Sequence, residues 1–175
     1  LSIIKPKFFN KFLSETLAKK KIIADDRTLP ANINKLFHEI KSKVKLRNNP
    51  IELLKSQKNI TELKGVRSAH LRDGVALTKS IFWIKDRMRK GTLTELQAVK
   101  KIDSNRKAEK YFHSLSFPTI AGSGPNGAIV HYHATKKTDR KIKKSDLFLI
   151  DSGGQYHDGT TDVTRTISFE KVTNE

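Results

Sequence analysis

The sequence predicts an α+β domain that is preceded by the end of an α/β domain, and three observations lead to this fold class. Short helical and strand patterns alternate up to Pro50, as they do in α/β domains. Two long helical patterns then cover residues 61–113. From Ser116 onward, short strand patterns are separated by turn-forming residues. Helices followed by a run of strands are typical of an α+β domain.

Residues 1–49 are expected to form the C-terminal part of the preceding α/β domain. The predicted elements are an amphipathic basic helix within residues 1–21, a strand at 21–24, a helix from Pro30 to about Ile40 and a strand at 44–46. We place the domain boundary at Pro50, because proline is favoured at the first position of the helix predicted for residues 51–57.

Residues 50–175 are expected to form the second domain. Its first long helix begins near Thr61 and ends before Gly91, and its second runs from Thr94 to about His113. Gly74 lies inside the first of these helices, where Gly costs about 1 kcal/mol relative to Ala, so we expect close packing there. The predicted strands are residues 117–120, 128–130, 147–150, 154–156 and 162–169.

The composition narrows the classes of function. Lys and Arg total 35 against 18 Asp and Glu, which gives a net charge of +17. Because 26 of these cations are Lys and few lie beside aromatic residues, a solvated basic surface is favoured over a specific nucleic-acid site. The absence of Cys excludes disulfides, thiolate metal sites and cysteine nucleophiles. No window reaches the ~18 consecutive apolar residues of a membrane span, and we expect a cytoplasmic protein.

A pair of aspartates is the strongest chemical feature of the sequence. Asp151 ends a strand so apolar that we expect it to be buried on both faces, and Asp158 with Gly159 predicts a tight turn. The turn brings Asp162 back beside Asp151. Two carboxylates at such a short distance repel each other unless one is protonated or a metal lies between them. Oxygen and His ligands favour Mn, Zn, Co or Fe(II). The alternative, that Asp151 forms a turn and Asp162 starts a strand, is slightly favoured by spacing alone.

Two histidines follow the apolar residues 128–130. Strand alternation would place His131 and His133 on one face, where one of them could orient or protonate a substrate oxygen. A histidine in a strand is more often structural, so the pattern leaves both interpretations open. Residues 122–127 are rich in glycine but lack the Lys-Ser/Thr pair of a phosphate loop, and we interpret them as a tight turn that shapes the wall of a pocket.

Several stretches of the chain are similar to one enzyme family. They are NPIELLK at 49–55, RDGVA at 72–76, SFPTI at 116–120, GPNGAIVHY at 124–132, LIDSGGQY at 149–156 and DGTTDVTRT at 158–166. These stretches resemble aminopeptidase P, the Xaa-Pro aminopeptidase branch of the creatinase, prolidase and methionine aminopeptidase "pita-bread" metallopeptidases. The resemblance extends from about Leu29 to Phe169.

The resemblance implies an active centre as well as a fold. Residues 50–175 would be the first half of the pita-bread catalytic domain, truncated before the family's other metal ligands, which are one His and two Glu. Asp151 would bind one divalent metal, Asp162 would bridge two, commonly Mn, and His131 would contact the scissile peptide or its tetrahedral intermediate. In the family, a hydroxide that bridges the metals attacks the carbonyl of a residue followed by Pro.

The resemblance also implies partners and a limit on activity. The substrates would be peptides with proline at the second position, and the full-length enzyme could form a homodimer; neither a membrane nor a specific nucleic acid is expected. Because two carboxylates cannot hold two metals, we expect the 175-residue chain alone to be inactive. The alternative function is a non-catalytic pita-bread module that binds peptides or polyanions through its basic surface.

Overall fold

A helix joins two parallel strands in the first of the two units into which the chain divides, Leu1–Lys58 and Asn59–Glu175. The computed structural model describes residues 3–171. The elements of the first unit are a 3₁₀ helix at Pro6–Phe8, α1 at Phe9–Leu17, β1 at Lys21–Ala24, α2 at Ala31–Glu39, β2 at Lys43–Leu46 and α3 at Pro50–Ser56. Strands β1 and β2 pair in parallel, with Ile22 opposite Val44. This β-α-β arrangement is the α/β character that the alternating pattern predicts.

The short helix α3 belongs to the first unit. The predicted boundary at Pro50 would place it in the second domain, whereas the two units divide after Lys58. The reason is a polar contact at the start of the helix, where the backbone N–H of Asn49 donates to Asp25 Oδ2 at 2.7 Å. The Asn49 side chain also caps α3 by accepting from the backbone N–H of Ile51 at 3.0 Å. These bonds attach α3 to the end of β1.

Two long helices and two small antiparallel sheets form the second unit. Its elements are α4 at Ile60–Lys90, α5 at Glu95–Lys107, β3 at Phe112–Leu115, β4 at Ile120–Ser123, a 3₁₀ helix at Gly124–Ala128, β5 at Phe148–Ser152, β6 at Gly154–Tyr156, β7 at Gly159–Thr160 and β8 at Val163–Ile167. Both helices begin with a capping box, which fixes their first residues. No helix described between residues 3 and 171 combines the length and apolar composition needed to cross a membrane.

The sheet of β4, β5 and β8 carries the hydrophobic core on one face. Its strands are antiparallel, with β5 in the centre and Ala121 of β4 opposite Ile150 of β5. The core consists of Leu77, Ile84, Met88, Leu93, Ala98, Ile102, Ala121, Ile142, Phe148 and Ile150. Strand β4 begins where the predicted strand 117–120 ends, because Pro118 cannot donate a hydrogen bond to a neighbouring strand. Helices α4 and α5 therefore cover one face of this sheet.

Helix α5 is shorter than the sequence predicts. It ends at Lys107 rather than near His113, and Tyr111 has a φ of 67°, in the left-handed region that a helix interior excludes. Residues that the helical pattern included form β3, which pairs with β6. Phe112 packs edge-on against Tyr156, with ring centroids 5.9 Å apart. A strand partner distant in sequence thus overrides the local helical pattern.

The glycine inside α4 is not at a close contact. A Cβ built on Gly74 would meet no atom within 4 Å, so the prediction of close packing there is wrong. The crowded glycine of this helix is Gly65, where a built Cβ would lie 3.2 Å from the carbonyl carbon of Asp158 and closer still to its oxygen. The turn between β6 and β7 therefore rests on the N-terminal half of α4.

Candidate metal centre

Asp151 lies inside β5, on the face of the sheet that points away from α4 and α5. The side chains of this strand alternate in exposure: Phe148, Ile150 and Ser152 are fully buried, whereas Leu149 and Asp151 are partly exposed. The prediction that this strand is buried on both faces is therefore wrong. Both long helices pack on the same face, and the described residues cover the other face only in part.

The second aspartate directly precedes β8, the strand that pairs with β5. Asp151 is opposite Thr164 of β8, and the Thr164 hydroxyl donates to Asp151 Oδ1 at 2.9 Å. Asp162 lies two residues before Thr164 and just outside β8, and continued strand alternation would place it on the same face as Asp151 and diagonal to it. The convergence of the two carboxylates and their role as metal ligands stay predictions.

Close backbone packing joins the residues after Asp151 to the residue before Asp162. Gly153 follows β5, and a Cβ built there would lie 2.7 Å from the carbonyl carbon of Thr161 and closer still to its oxygen. The backbone N–H of Thr161 donates to the Gly154 carbonyl at 2.9 Å, and Gly154 N–H donates to Thr161 Oγ1 at 2.9 Å. The chain reverses between these residues with a two-residue turn, because Tyr156 is opposite Gly159. Glycine at 153 therefore permits the approach of the strands that carry the aspartates.

The donor set fits one part of a divalent-metal site. Two carboxylates on one face are hard oxygen donors of the kind that Mn²⁺ and similar ions bind. Within residues 3–171, no group of three or more His, Cys, Asp or Glu side chains could hold a metal ion. The chemistry of the Asp151 and Asp162 side chains fits a divalent ion, but two carboxylates are fewer ligands than such an ion takes.

His131 lies on an exposed turn and not in a strand. The predicted strand 128–130 is wrong: a 3₁₀ helix ends at Ala128, Val130 is 83% exposed and His131 has a φ of 56°. Pro125 at the start of the 3₁₀ helix favours this tight turn over an extended strand. The segment lies over the aspartate face of the sheet, since a Cβ built on Gly127 would be 3.6 Å from Leu149 Cβ. His131 therefore follows a segment that contacts the same face as Asp151.

A buried carboxylate that sequence reasoning missed holds this segment in place. Glu95, the first residue of α5, is fully buried. Its Oε1 accepts from the backbone N–H of Ser123 at 2.7 Å and from Asn126 Nδ2 at 3.1 Å, and its Oε2 accepts from the Tyr132 hydroxyl at 2.7 Å. Burial, together with the bond to Glu95, raises the pKa of Tyr132. The sequence marks Glu95 only as a helix start, because all three donors come from a distant segment.

A second buried network that sequence reasoning missed lies behind β5. Asp73 of α4 and Arg106 of α5 are fully buried, and Arg106 donates to both carboxylate oxygens, at 2.7 and 2.9 Å. The Tyr156 hydroxyl donates to Asp73 Oδ1 at 2.8 Å, and Arg106 Nη2 donates to the Ser152 carbonyl at 3.4 Å. Burial alone would raise the pKa of Asp73, but the bonds and charge of Arg106 outweigh it and lower that pKa. Burial and the Asp73 carboxylate raise the pKa of Tyr156.

The sequence and the fold are similar to those of known peptidases. The sequence profile of metallopeptidase family M24 matches residues 64–175. Xaa-Pro aminopeptidase ApepP of Drosophila melanogaster is 46% identical over 125 residues, which are 71% of this chain and 20% of that protein. A probable Xaa-Pro aminopeptidase P of Laccaria bicolor is 47% identical over 128 residues, 73% of this chain and 20% of the relative. The chain spans about one fifth of the length of these relatives.

Solved structures match nearly the whole chain. The X-prolyl aminopeptidase from Caenorhabditis elegans, described as a cytosolic enzyme with a di-nuclear active site, has a TM-score of 0.87 at 30% identity; the match covers 98% of this chain and 29% of that one. Prolidase from Pyrococcus furiosus has a TM-score of 0.74 at 24% identity, over 99% of this chain and 49% of the prolidase, a likeness of fold. The predicted α+β fold of a pita-bread metallopeptidase is confirmed.

Proposed function

Because the chain belongs to metallopeptidase family M24, we propose that it forms part of the metal centre of an Xaa-Pro aminopeptidase. The observation that carries this proposal is the pairing of β5, which holds Asp151 on the face away from the helices, with β8, which Asp162 directly precedes. The names of the curated relatives support the reaction, and the di-nuclear site of the Caenorhabditis elegans enzyme supports the metal requirement. A proline at the second position has no amide hydrogen, so its peptide bond requires a dedicated site.

In this proposal, Asp151 and Asp162 supply part of the ligand set for two divalent ions, for which we propose Mn²⁺. The hydrogen bond from Thr164 restrains the rotation of the Asp151 carboxylate, as outer contacts of metal ligands commonly do. The ions would supply a Lewis acid that polarises the peptide carbonyl and lowers the pKa of water. We assign His131 to the substrate side, because it is exposed and follows a segment that Glu95 fixes over the aspartate face.

The proposal extends to ligands, location and assembly beyond these 175 residues. The remaining metal ligands, one His and two Glu, would come from a longer polypeptide, since the chain covers about one fifth of its curated relatives. We propose a cytoplasmic location by analogy with the cytosolic Caenorhabditis elegans enzyme. A homodimer of the longer polypeptide is part of the same proposal.

Metal binding by the 175-residue chain tests the ligand assignment. We expect weak Mn²⁺ binding, which electron paramagnetic resonance detects as a loss of the free Mn²⁺ signal. Asp151→Asn and Asp162→Asn should each weaken this binding by about tenfold, because each removes a charged oxygen ligand. The control is Glu15→Gln, which removes a carboxylate that is 65% exposed and 3.8 Å from Lys11 in the first unit. Unchanged binding in both aspartate variants would contradict the assignment.

Peptide hydrolysis tests the reaction. We expect the longer polypeptide, loaded with Mn²⁺, to cleave peptides of the Xaa-Pro series and to leave the matching Xaa-Ala series largely intact. His131→Ala should lower kcat by about 10²–10⁴-fold, as loss of a group that acts on the reacting carbonyl does. The 175-residue chain alone should show no turnover. Equal cleavage of both series would refute the specificity, and a longer polypeptide that binds metal without turnover would favour the non-catalytic binding module.

A further inference from the structure

We propose that the buried pair of Asp73 and Arg106 positions the two candidate metal ligands from behind the sheet. The proposal rests on the proposed function, because it concerns the geometry of Asp151 and Asp162. Neither Asp73 nor Arg106 lies on the aspartate face: both side chains are fully buried on the helix side of β5. They are therefore positioning residues that act through the backbone.

The network contacts the chain on both sides of a glycine pair. Arg106 Nη2 donates to the carbonyl oxygen of Ser152, the residue after Asp151. Asp73 Oδ1 accepts from the hydroxyl of Tyr156 at 2.8 Å. Gly153 and Gly154, which lie between these two contacts, have more backbone freedom than any other residues. The ion pair thus holds the chain on both sides of this glycine pair.

Asp162 is connected to the same glycine pair. The residue before it, Thr161, is fully buried and bonds to Gly154 through its backbone N–H and through its hydroxyl, both at 2.9 Å. The Thr161 hydroxyl also lies close enough to Asp73 to lower the pKa of that carboxyl. A shift of Gly153 or Gly154 would therefore move Asp151 on one side and Asp162 on the other. Both candidate ligands depend on the position that the ion pair imposes.

Stability alone does not account for this pair. Replacing a buried ion pair by apolar residues of similar volume is often neutral or stabilising, because the two charges are costly to remove from water. Two further buried polar atoms, Arg106 Nη1 and Ser152 Oγ, have no hydrogen-bond partner within residues 3–171. The pair fixes an orientation instead. Two bonds to Asp73 hold the planar guanidinium of Arg106, so that it approaches the Ser152 carbonyl from one side only.

The test uses a variant that removes both charges together, Asp73→Leu/Arg106→Met, so that no unpaired charge remains buried. The matched control is Ser80→Ala, which deletes another polar contact between the same helices, the part-buried bond from Asn105 Nδ2 to the fully buried Ser80 Oγ at 2.9 Å. Substoichiometric Mn²⁺ is added to ¹⁵N-labelled 175-residue chain, and the paramagnetic broadening of the amide signals of Asp151 and Asp162 is measured. Thermal unfolding of each variant is recorded in parallel.

In the wild type, we expect both amide signals to broaden at the same Mn²⁺ concentration. In the double variant, the concentration needed should rise by about tenfold, the lower end of the loss that follows removal of groups that orient the ligands of a metal. Ser80→Ala should broaden like the wild type, even where its melting temperature is lower. Wild-type broadening in the double variant, or an equal loss in Ser80→Ala, would overturn the positioning role only. No broadening at either aspartate in the wild type would overturn the proposed metal centre and, with it, this inference.

Discussion

Gly153→Ala is expected to disrupt the packing that joins the residues after Asp151 to the residue before Asp162. A Cβ at this position would lie 2.7 Å from the carbonyl carbon of Thr161, whereas carbon atoms in contact prefer about 3.5–4.0 Å. The strands must therefore separate by about 1 Å. This shift would stretch three hydrogen bonds of 2.9 to 3.0 Å, two between Thr161 and Gly154 and one from Ser116 Oγ to the Thr161 carbonyl. At about 1 kcal/mol for each bond, the loss is about 3 kcal/mol of unfolding free energy.

Urea unfolding measures this loss. The fluorescence of Trp83, the only tryptophan of the chain, reports on the second unit, because this residue lies in α4. The control is Gly74→Ala, which should stabilise the second unit by up to about 1 kcal/mol, since a Cβ there meets no atom and Ala favours the helix. A loss below about 1 kcal/mol for Gly153→Ala would refute the steric reasoning.

Three further predictions concern acid, the carboxylate of α5 and the basic surface. The pKa of Asp73 is lowered because the bonds and charge of Arg106 outweigh burial. The stabilisation by this carboxylate should therefore be complete above about pH 4 and be lost as the pH falls through the folded-state pKa. As the pH is lowered, the unfolding free energy measured in urea should decline less steeply in Asp73→Leu/Arg106→Met than in the wild type. Glu95→Gln should lower the unfolding free energy by about 1–3 kcal/mol and should lower the pKa of Tyr132. Absorbance titration measures that pKa, with a Tyr132→Phe variant to identify the signal of this phenol. An unchanged pKa would show that Glu95 does not hold the phenol. With a net charge of +17, the chain should bind heparin weakly, and its affinity should fall steeply as salt is added. Heparin binding that resists salt, or binding to DNA that depends on the DNA sequence, would contradict a non-specific surface.

Local patterns determined most of the secondary structure and the turn that lies between the two aspartates. Helices α2 and α4 and strands β1 and β6 lie where periodicity and turn residues predict them, because their apolar faces and caps are encoded within a few residues. The register of β5 with β8 and the two-residue turn between β6 and β7 are those on which the predicted pairing of Asp151 with Asp162 depends. Resemblance to aminopeptidase P, carried by motifs around these residues, identified the family.

Tertiary contacts decided the remaining features. Residues near His113 form a strand because β6 offers hydrogen-bond partners that no local pattern reveals. The turn before His131 is favoured locally by Pro125, but its position is fixed by Glu95, which accepts its donors. The role of Arg106 is also decided by tertiary contacts. The sequence pattern predicts only that this residue is helical, whereas its guanidinium contacts Asp73 and the Ser152 carbonyl of β5. A buried polar side chain is stable only where partners meet it, and those partners come from segments far apart in the chain. The chemistry of Asp151 and Asp162 is thus encoded locally, whereas the framework that holds them exists only in the folded structure.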